Sequence, residues 1–257
     1  EDKLKKFKYE PKLLDKTCDI WARDYMPIQV SSNKYLEYRY DPDYLQGNSD
    51  EKSTSEIKTY PDIVCDSIGL NTYKTDIILD GGNVVKSENA IILTDKIIWE
   101  TRLKYSISQL TKKLHNLFEV EKVVLLPWDK DCEFGHADGM LRFINNEKVL
   151  ISGFYEKSNQ KLKTSILKKL EISKLDWEWL RVSEIEDEKN IAYINFLQTK
   201  DFIIVPALNQ TEDKIAIQHI SKFFPHYDSI NAIENINMVD IAKQQGALNC
   251  ITWTIKV

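Results

Sequence analysis

One order of elements returns along this chain about every 55 residues, and it limits the possible folds more than any other feature. "TDIILDGGNVVKSENAIILTDKIIWE" reads as two apolar strands joined by a polar hairpin. "SISQLTKKLHNLF" then places Ile107, Leu110, Leu114 and Leu117 at helical spacing, and "KVVLLP" is a buried strand stopped by Pro127. The order comes back in "GMLRFINNEKVLISGF", a hairpin around Asn145-Asn146, followed by the helix "LKTSILKKLEI" and the strand "EWLRV". It comes back again in "IAYINFLQTKDFIIVPAL", a hairpin around Thr199-Lys200, with the helix "TEDKIAIQHISKFF" and the strand "YDSINAI". Thr211 is the expected N-cap of that helix, with acids in its first turn. The first unit is "DIWARDYMPIQVSSNKYLEYRY", a hairpin around Ser32-Asn33, followed by the less regular "SEIKTYPDIVCDSIGL"; the tail "GALNCITWTIKV" is expected to add a last strand. Four hairpin–helix–strand units and a tail hold too many strands for one open sheet. Small sheets set radially about an axis fit better, because they leave only short, protected edges.

The chain of 257 residues can bury a sizeable core, and with 42% hydrophobic and 29% charged residues it falls among globular proteins. A net charge of −5 supplies no basic field for nucleic acid, and the clusters Lys3-Leu4-Lys5-Lys6 and Lys168-Lys169 read as solvated helix faces. No apolar run approaches the roughly 20 residues of a membrane span. The N-terminal "EDKLKKFKYE" has no apolar signal-peptide core, so the expected location is cytoplasmic. Cys18, Cys65, Cys132 and Cys250 are widely spaced, like a cytosolic set rather than a disulfide framework.

Within such an array the informative residues are polar ones set where the pattern asks for burial. "DIWARDYMP" puts Arg23 and Asp24 in a strand pattern, and "ILDGGNVV" puts Asp80 and Asn83 around two glycines. "FGHADGMLRF" brings His136 and Asp138, and "QQGALNCITW" brings Cys250. Each belongs to a different unit, so a radial arrangement can bring them together near the axis. Each also has a structural reading. Asp80-Gly81-Gly82 can be a turn or bulge, Arg23-Asp24 an ion pair, Cys250 a small buried hydrophobe and His136 a turn cap. A zinc site from His136, Asp138 and Cys250 is the metal alternative, though no ligand-pair spacing recurs: His115 and His219 sit in helices and His226 in a loop. No G-x-S-x-G of a serine hydrolase occurs.

"IWARDYMP", "LDGGNVV", "GHADGMLRF" and "ALNCITW", in that order, resemble the motifs of the agmatine deiminase and bacterial peptidylarginine deiminase family of guanidino-group modifying enzymes, from Asp19 to Trp253. The resemblance implies an α/β fold, the pentein or α/β propeller: five ββαβ-like units around a pseudo-fivefold axis. The first unit is shortened here, and the whole chain is one catalytic domain. Departures are the short segment before Trp21 and the reading Gly246-Ala247-Leu248-Asn249-Cys250 in place of G-G-N-x-H-C.

The implied chemistry is hydrolytic and covalent, with no metal or organic cofactor. Asp24 and Asp138 hold a planar guanidinium by forked hydrogen bonds, Cys250 is the nucleophile, and His136 is acid and then base. Asp80 contacts substrate or supports its loop, Trp21 and Trp253 wall the site or pack the core, and Arg23 balances the carboxylates. The expected partner is a small cationic guanidino substrate, agmatine or a similar amine first, then peptidyl-arginine or free arginine. Free arginine would need a cation for its carboxylate, such as Arg39, Arg102 or Arg142. An amidinotransferase and a pentein that binds without turnover are the other readings. No nucleic acid or membrane partner is expected, and the sequence leaves the oligomeric state open.

Overall fold

The computed structural model describes residues 13–45, 57–182 and 192–256. The lysine-rich stretch at Lys3-Leu4-Lys5-Lys6 and the start of the irregular segment at Ser55 lie outside the described residues. The first unit opens with the short helix α1 (Ala22–Tyr25). The hairpin β1 (Ile28–Ser31) and β2 (Lys34–Arg39) turns at Ser32-Asn33, and α2 (Pro61–Ser67) leads into β3 (Tyr73–Ile78). Pro61 stands at the start of α2, where its missing N–H leaves no helical hydrogen bond unmade. β1 pairs antiparallel with β2, and β3 pairs parallel with β2 on its other edge.

The second unit repeats that pairing with β4 (Val85–Lys86), β5 (Ala90–Thr94), α3 (Lys96–Thr101), α4 (Ile107–Phe118) and β6 (Lys122–Leu126). The third holds β7 (Leu141–Asn145), β8 (Lys148–Ser152), α5 (Phe154–Lys157), α6 (Gln160–Ile172) and β9 (Asp176–Leu180). The fourth holds β10 (Leu197–Gln198), β11 (Ile203–Ala207), α7 (Glu212–Phe223), α8 (Pro225–Ser229) and β12 (Ile233–Asn237), with α9 (Val239–Ala242) after it. The described residues thus form an α/β fold with four three-stranded sheets.

The middle strand of a unit is apolar at consecutive positions because both of its faces are covered. On β5, Ile91 and Leu93 enter one core with Leu36, Ile77 and Leu114, whereas Ile92 enters the next with Leu141, Ile151 and Ile166. On β8, Val149 and Ile151 face that second core and Leu150 faces a third, shared with Ile203, Val205 and Ile220. Side chains alternate along a strand, so β5 and β8 each join two neighbouring units. Each fully buried Leu or Ile contributes about 1.5–3 kcal/mol. The end of the chain closes onto the first unit: Trp253 Nε1 donates to the Pro27 carbonyl at 2.8 Å, and Gln29 Nε2 donates to the Lys256 carbonyl at 2.9 Å.

Several local expectations are corrected. "TDIIL" completes the first sheet as β3, and the hairpin of the second unit is the short β4–β5 pair. "YDSINAI" is not a strand: Pro225 starts α8, and the strand begins at Ile233. His226 accordingly lies in α8 rather than in a loop. Thr211 makes no side-chain cap; Asp213 gathers the loop instead, accepting from the N–H groups of Leu208 and Gln210 at 2.8 and 3.2 Å. Ile107, at the mouth of α4, is exposed, and a reciprocal Ser106–Gln109 capping box fixes that end. Arg23 and Asp24 lie in α1 rather than a strand, and residues 248–251 of the tail form a turn rather than a strand. Among the described residues no helix is long and apolar enough to cross a membrane.

Candidate active site

The polar residues that interrupt the apolar pattern sit in short turns placed alike. α1 precedes β1, a helical turn at Gly81–Asn83 precedes β4, another at Ala137–Gly139 precedes β7, and residues 192–194 form one before β10. The turn at 248–251 is the fifth. α1 packs on the Gly81–Asn83 turn, which packs on the Ala137–Gly139 turn. The paired glycines make this approach possible. A Cβ on Gly81 would stand 2.0 Å from the Arg23 carbonyl oxygen and 2.3 Å from Tyr38 Oη. On Gly82 it would stand 2.5 Å from Asp24 Oδ1 and 2.7 Å from His136 Nδ1. Only a residue without Cβ allows the backbone so close.

His136 is buried between two carboxylates. Its Nε2 lies 3.0 Å from Asp80 Oδ2 and its Nδ1 3.5 Å from Asp24 Oδ1. Asp24 Oδ1 also accepts from Gly82 N–H at 2.9 Å, and Tyr38 Oη donates to the backbone carbonyls of Asp24 and Met26 at 2.7 and 2.8 Å. The second carboxylate group lies with the thiol. Asp138 Oδ2 accepts from Asn249 Nδ2 at 2.7 Å and from Asn195 Nδ2 at 3.1 Å. Cys250 Sγ is 3.8 Å from the same oxygen and 3.3 Å from Asn195 Oδ1. The two groups are tied by the backbone, because Arg23 N–H donates to the Cys250 carbonyl at 2.9 Å and Arg23 Nε donates to the Asn249 carbonyl at 3.3 Å.

The electrostatics follow from that geometry. Burial opposes a charged His136, but the carboxylates of Asp24, Asp80 and Asp138 outweigh it and hold the imidazole up to about 9. Burial raises Asp24 to about 7, with Asp80 and Asp138 adding repulsion against the attraction of His136. Burial and then the Asp138 and Asp24 carboxylates push the Cys250 thiol well above its ordinary range. The resting site at neutral pH therefore holds an imidazolium, a neutral thiol and a surplus of carboxylates. Asp80 Oδ1 is buried and has no hydrogen-bond partner among the described residues, which leaves an acceptor for a donor from outside.

The structure thus brings Asp24, Asp80, His136, Asp138 and Cys250 together. Trp21 is half-buried and lies against Gly246, where a Cβ would meet its ring at 2.2 Å. Trp253 is held to Pro27 in the first core. Of the candidate carboxylate partners, Arg39 pairs with Asp41 at the surface and Arg102 stacks on the exposed Trp99. Arg142 is held inside, donating from Nη2 to the Phe196 carbonyl, and burial lowers it to about 10 against the attraction of Asp138. Both His136 nitrogens are engaged by carboxylates, and among the described residues no cluster of three or more His, Cys, Asp or Glu is arranged to hold a metal.

Three contributors have no place in the sequence reading. Asn195 and Asn249 hold Asp138, and the buried Lys96 donates to Asp43 Oδ1 at 2.9 Å and to the Phe134 carbonyl at 3.0 Å, tying the segment Asp43–Leu45 to the loop before His136. Asn195 in "AYINFLQ" carries the same signal as the others, a polar residue breaking an apolar run.

The family model for Porphyromonas-type peptidyl-arginine deiminase matches residues 12–255. A protein of Vibrio parahaemolyticus provisionally named agmatine deiminase is 23% identical over 92% of this chain and 75% of its own length. One of Mycoplasma capricolum, named in the same way, is 24% identical over 74% of this chain, which spans only 60% of that relative. The solved agmatine deiminase of C. jejuni superposes with a TM-score of 0.69 at 19% identity, over 90% of this chain and 71% of that one, and shares the fold.

Proposed function

The chain belongs to the Porphyromonas-type peptidyl-arginine deiminase family, and from that premise we propose that it is a cysteine-dependent hydrolase that deiminates a guanidino compound to a ureido product and ammonia. The observation that carries this reading is the pairing of a buried imidazolium and a buried thiol, each on its own carboxylate, in one site assembled from five turns. The surplus of negative charge matches a planar cation, whose N–H groups meet the carboxylates of Asp24 and Asp138. The unpartnered Asp80 Oδ1 is a further acceptor within reach of the same cation.

Binding of the cation lowers the cost of ionising Cys250, and the thiol proton passes to solvent as the guanidinium docks. Sγ attacks the guanidinium carbon and an S–C bond forms. His136 gives its proton to the departing nitrogen, the C–N bond breaks, and ammonia leaves a thiouronium on Cys250. The imidazole, now neutral, takes a proton from water, whose oxygen adds to the same carbon. His136 is thereby protonated again; as the C–S bond breaks, the hydroxyl proton of the adduct passes to the departing sulfur, leaving the ureido product and the Cys250 thiol. A histidine held charged at neutral pH suits the first proton transfer, which contributes about 10²–10⁴-fold.

The substrate favoured is a small amine of the agmatine type. Arg39 and Arg102 are engaged at the surface, away from a buried ligand's carboxylate, and Arg142, though buried, already donates to the Phe196 carbonyl. In the same reading the molecule is a single pentein domain, and Trp21 covers the substrate. The test is ammonia release from agmatine, arginine, methylated arginines and an arginyl peptide. Release from agmatine that is lost in Cys250→Ala supports the proposal, and no release from any of them leaves a binding module.

A further inference from the structure

Cys250 is held by the carboxamide of one residue more closely than by any carboxylate. Asn195 follows the helical turn at residues 192–194, and the residue is 4% exposed. Its backbone carbonyl accepts from Asn249 N–H at 3.0 Å, and its Oδ1 accepts from Cys250 N–H at 3.2 Å. On the other side Nδ2 donates to Asp138 Oδ2 at 3.1 Å. These two partners decide which way the amide faces. Reversed, it would set N–H against the Cys250 N–H and a carbonyl oxygen against a carboxylate oxygen. Oδ1 therefore faces Sγ at 3.3 Å and is an acceptor there.

We infer that Asn195 is a positioning residue for the nucleophile: its amide pins the 248–251 turn and accepts a hydrogen bond from the S–H, setting Sγ beside Asp138. This inference rests on the deiminase reading only for its effect on turnover. Burial and the carboxylates of Asp138 and Asp24 are what keep Cys250 a thiol, and the Asn195 hydrogen bond offsets part of their effect while fixing where Sγ lies; the guanidinium of Arg142 also faces the sulfur. The thiolate then forms when a cation enters and offers Sγ a charge partner. The same amide links the nucleophile to a guanidinium-holding carboxylate, so attacking atom and clamp are set by one planar group.

The experiment uses the full chain with Asn195→Asp and Asn195→Ala. Iodoacetamide alkylation of Cys250 is followed against pH by peptide mass, which separates it from Cys18, Cys65 and Cys132. Asn195→Asp conserves shape but replaces the donor with a carboxylate facing Asp138. Its alkylation midpoint is expected to rise by at least one unit, about tenfold less reaction at a given pH below it. Asn195→Ala is expected to lose about 10- to 100-fold in kcat with KM changed less than about threefold, and Asn195→Ser, which keeps a small donor and acceptor, to recover part of that loss. Folded variants with the wild-type alkylation profile and kcat would overturn the inference. So would a rise in KM alone, or failure of all three variants to fold, since either assigns the amide to substrate binding or to packing. If wild-type protein releases no ammonia from any guanidino compound, the deiminase reading fails and the alkylation profile still decides the role of Asn195.

Discussion

Asp80→Asn removes one charge and almost no volume from the contact that holds His136 protonated. Opposite charges 3.0 Å apart attract by roughly 5 kcal/mol at an effective dielectric of about 20. The net rise of His136 from 6.5 to about 9 corresponds to only about 3 kcal/mol. Loss of the nearer carboxylate therefore removes more than the whole rise, and burial then holds the imidazole at about 6.5 or lower. The protonated fraction at pH 8 falls from nearly all to about 3%, roughly a thirtyfold loss of the acid step. The alkaline limb of the kcat/KM profile should move down by about 2.5 units, and an NMR titration of the His136 ring should move with it. Stability carries the same sign. The folded value lies above the unfolded one, so the contribution of His136 is complete below about pH 6.5 and lost as pH rises through about 9. That slope should flatten in the variant, read from thermal melts at pH 6 and 9. An unmoved alkaline limb, or a loss equal at every pH, would refute the reasoning.

Other changes separate the parts of the account. Gly82→Ala drives a Cβ into Asp24 Oδ1 and His136 Nδ1 and should cost about 2 kcal/mol or more of stability in denaturant titrations, together with most of the activity. Asp138→Asn keeps an acceptor for Asn249 but removes the charge that faces the cation. It should raise KM for a guanidino substrate more than it lowers kcat, in steady-state kinetics. Ser106→Ala breaks the α4 capping box far from the site and should cost about 1 kcal/mol in the same titrations with kcat unchanged.

Three of the four sheets were legible because the middle strand is apolar at consecutive positions, and all four because the hairpin is polar at its turn. Ile91, Ile92 and Leu93 on β5, and Val149, Leu150 and Ile151 on β8, announce burial on both faces without any tertiary knowledge. α1 was not legible. Four residues make too short a helix to leave a period, and its ends are fixed by contacts with Cys250 and Gly82 from distant segments. The tail misled for a similar reason: "NCITW" has strand composition, but Ile251 N–H bonds back to the Ala247 carbonyl and Thr252 N–H to that of Asn249. The polar residues of the site stood out one at a time because they break apolar runs. Their pairing did not, since Asp80 meets His136 and Asn249 meets Asp138 across long stretches of chain. Asn195 carried the same local signal and passed unnoticed because an amide has no fixed charge to suggest a role.

The central claim is that the sulfur of Cys250 becomes bonded to the guanidino carbon during turnover. Its most direct test is intact-protein and peptide mass spectrometry after acid quench of the chain mixed with excess agmatine. The account predicts a mass increase matching a thiouronium on the peptide holding Cys250, absent in Cys250→Ala, which also releases no ammonia. Ammonia release by Cys250→Ala, or a substrate-derived adduct on Cys18, Cys65 or Cys132 instead, would contradict it.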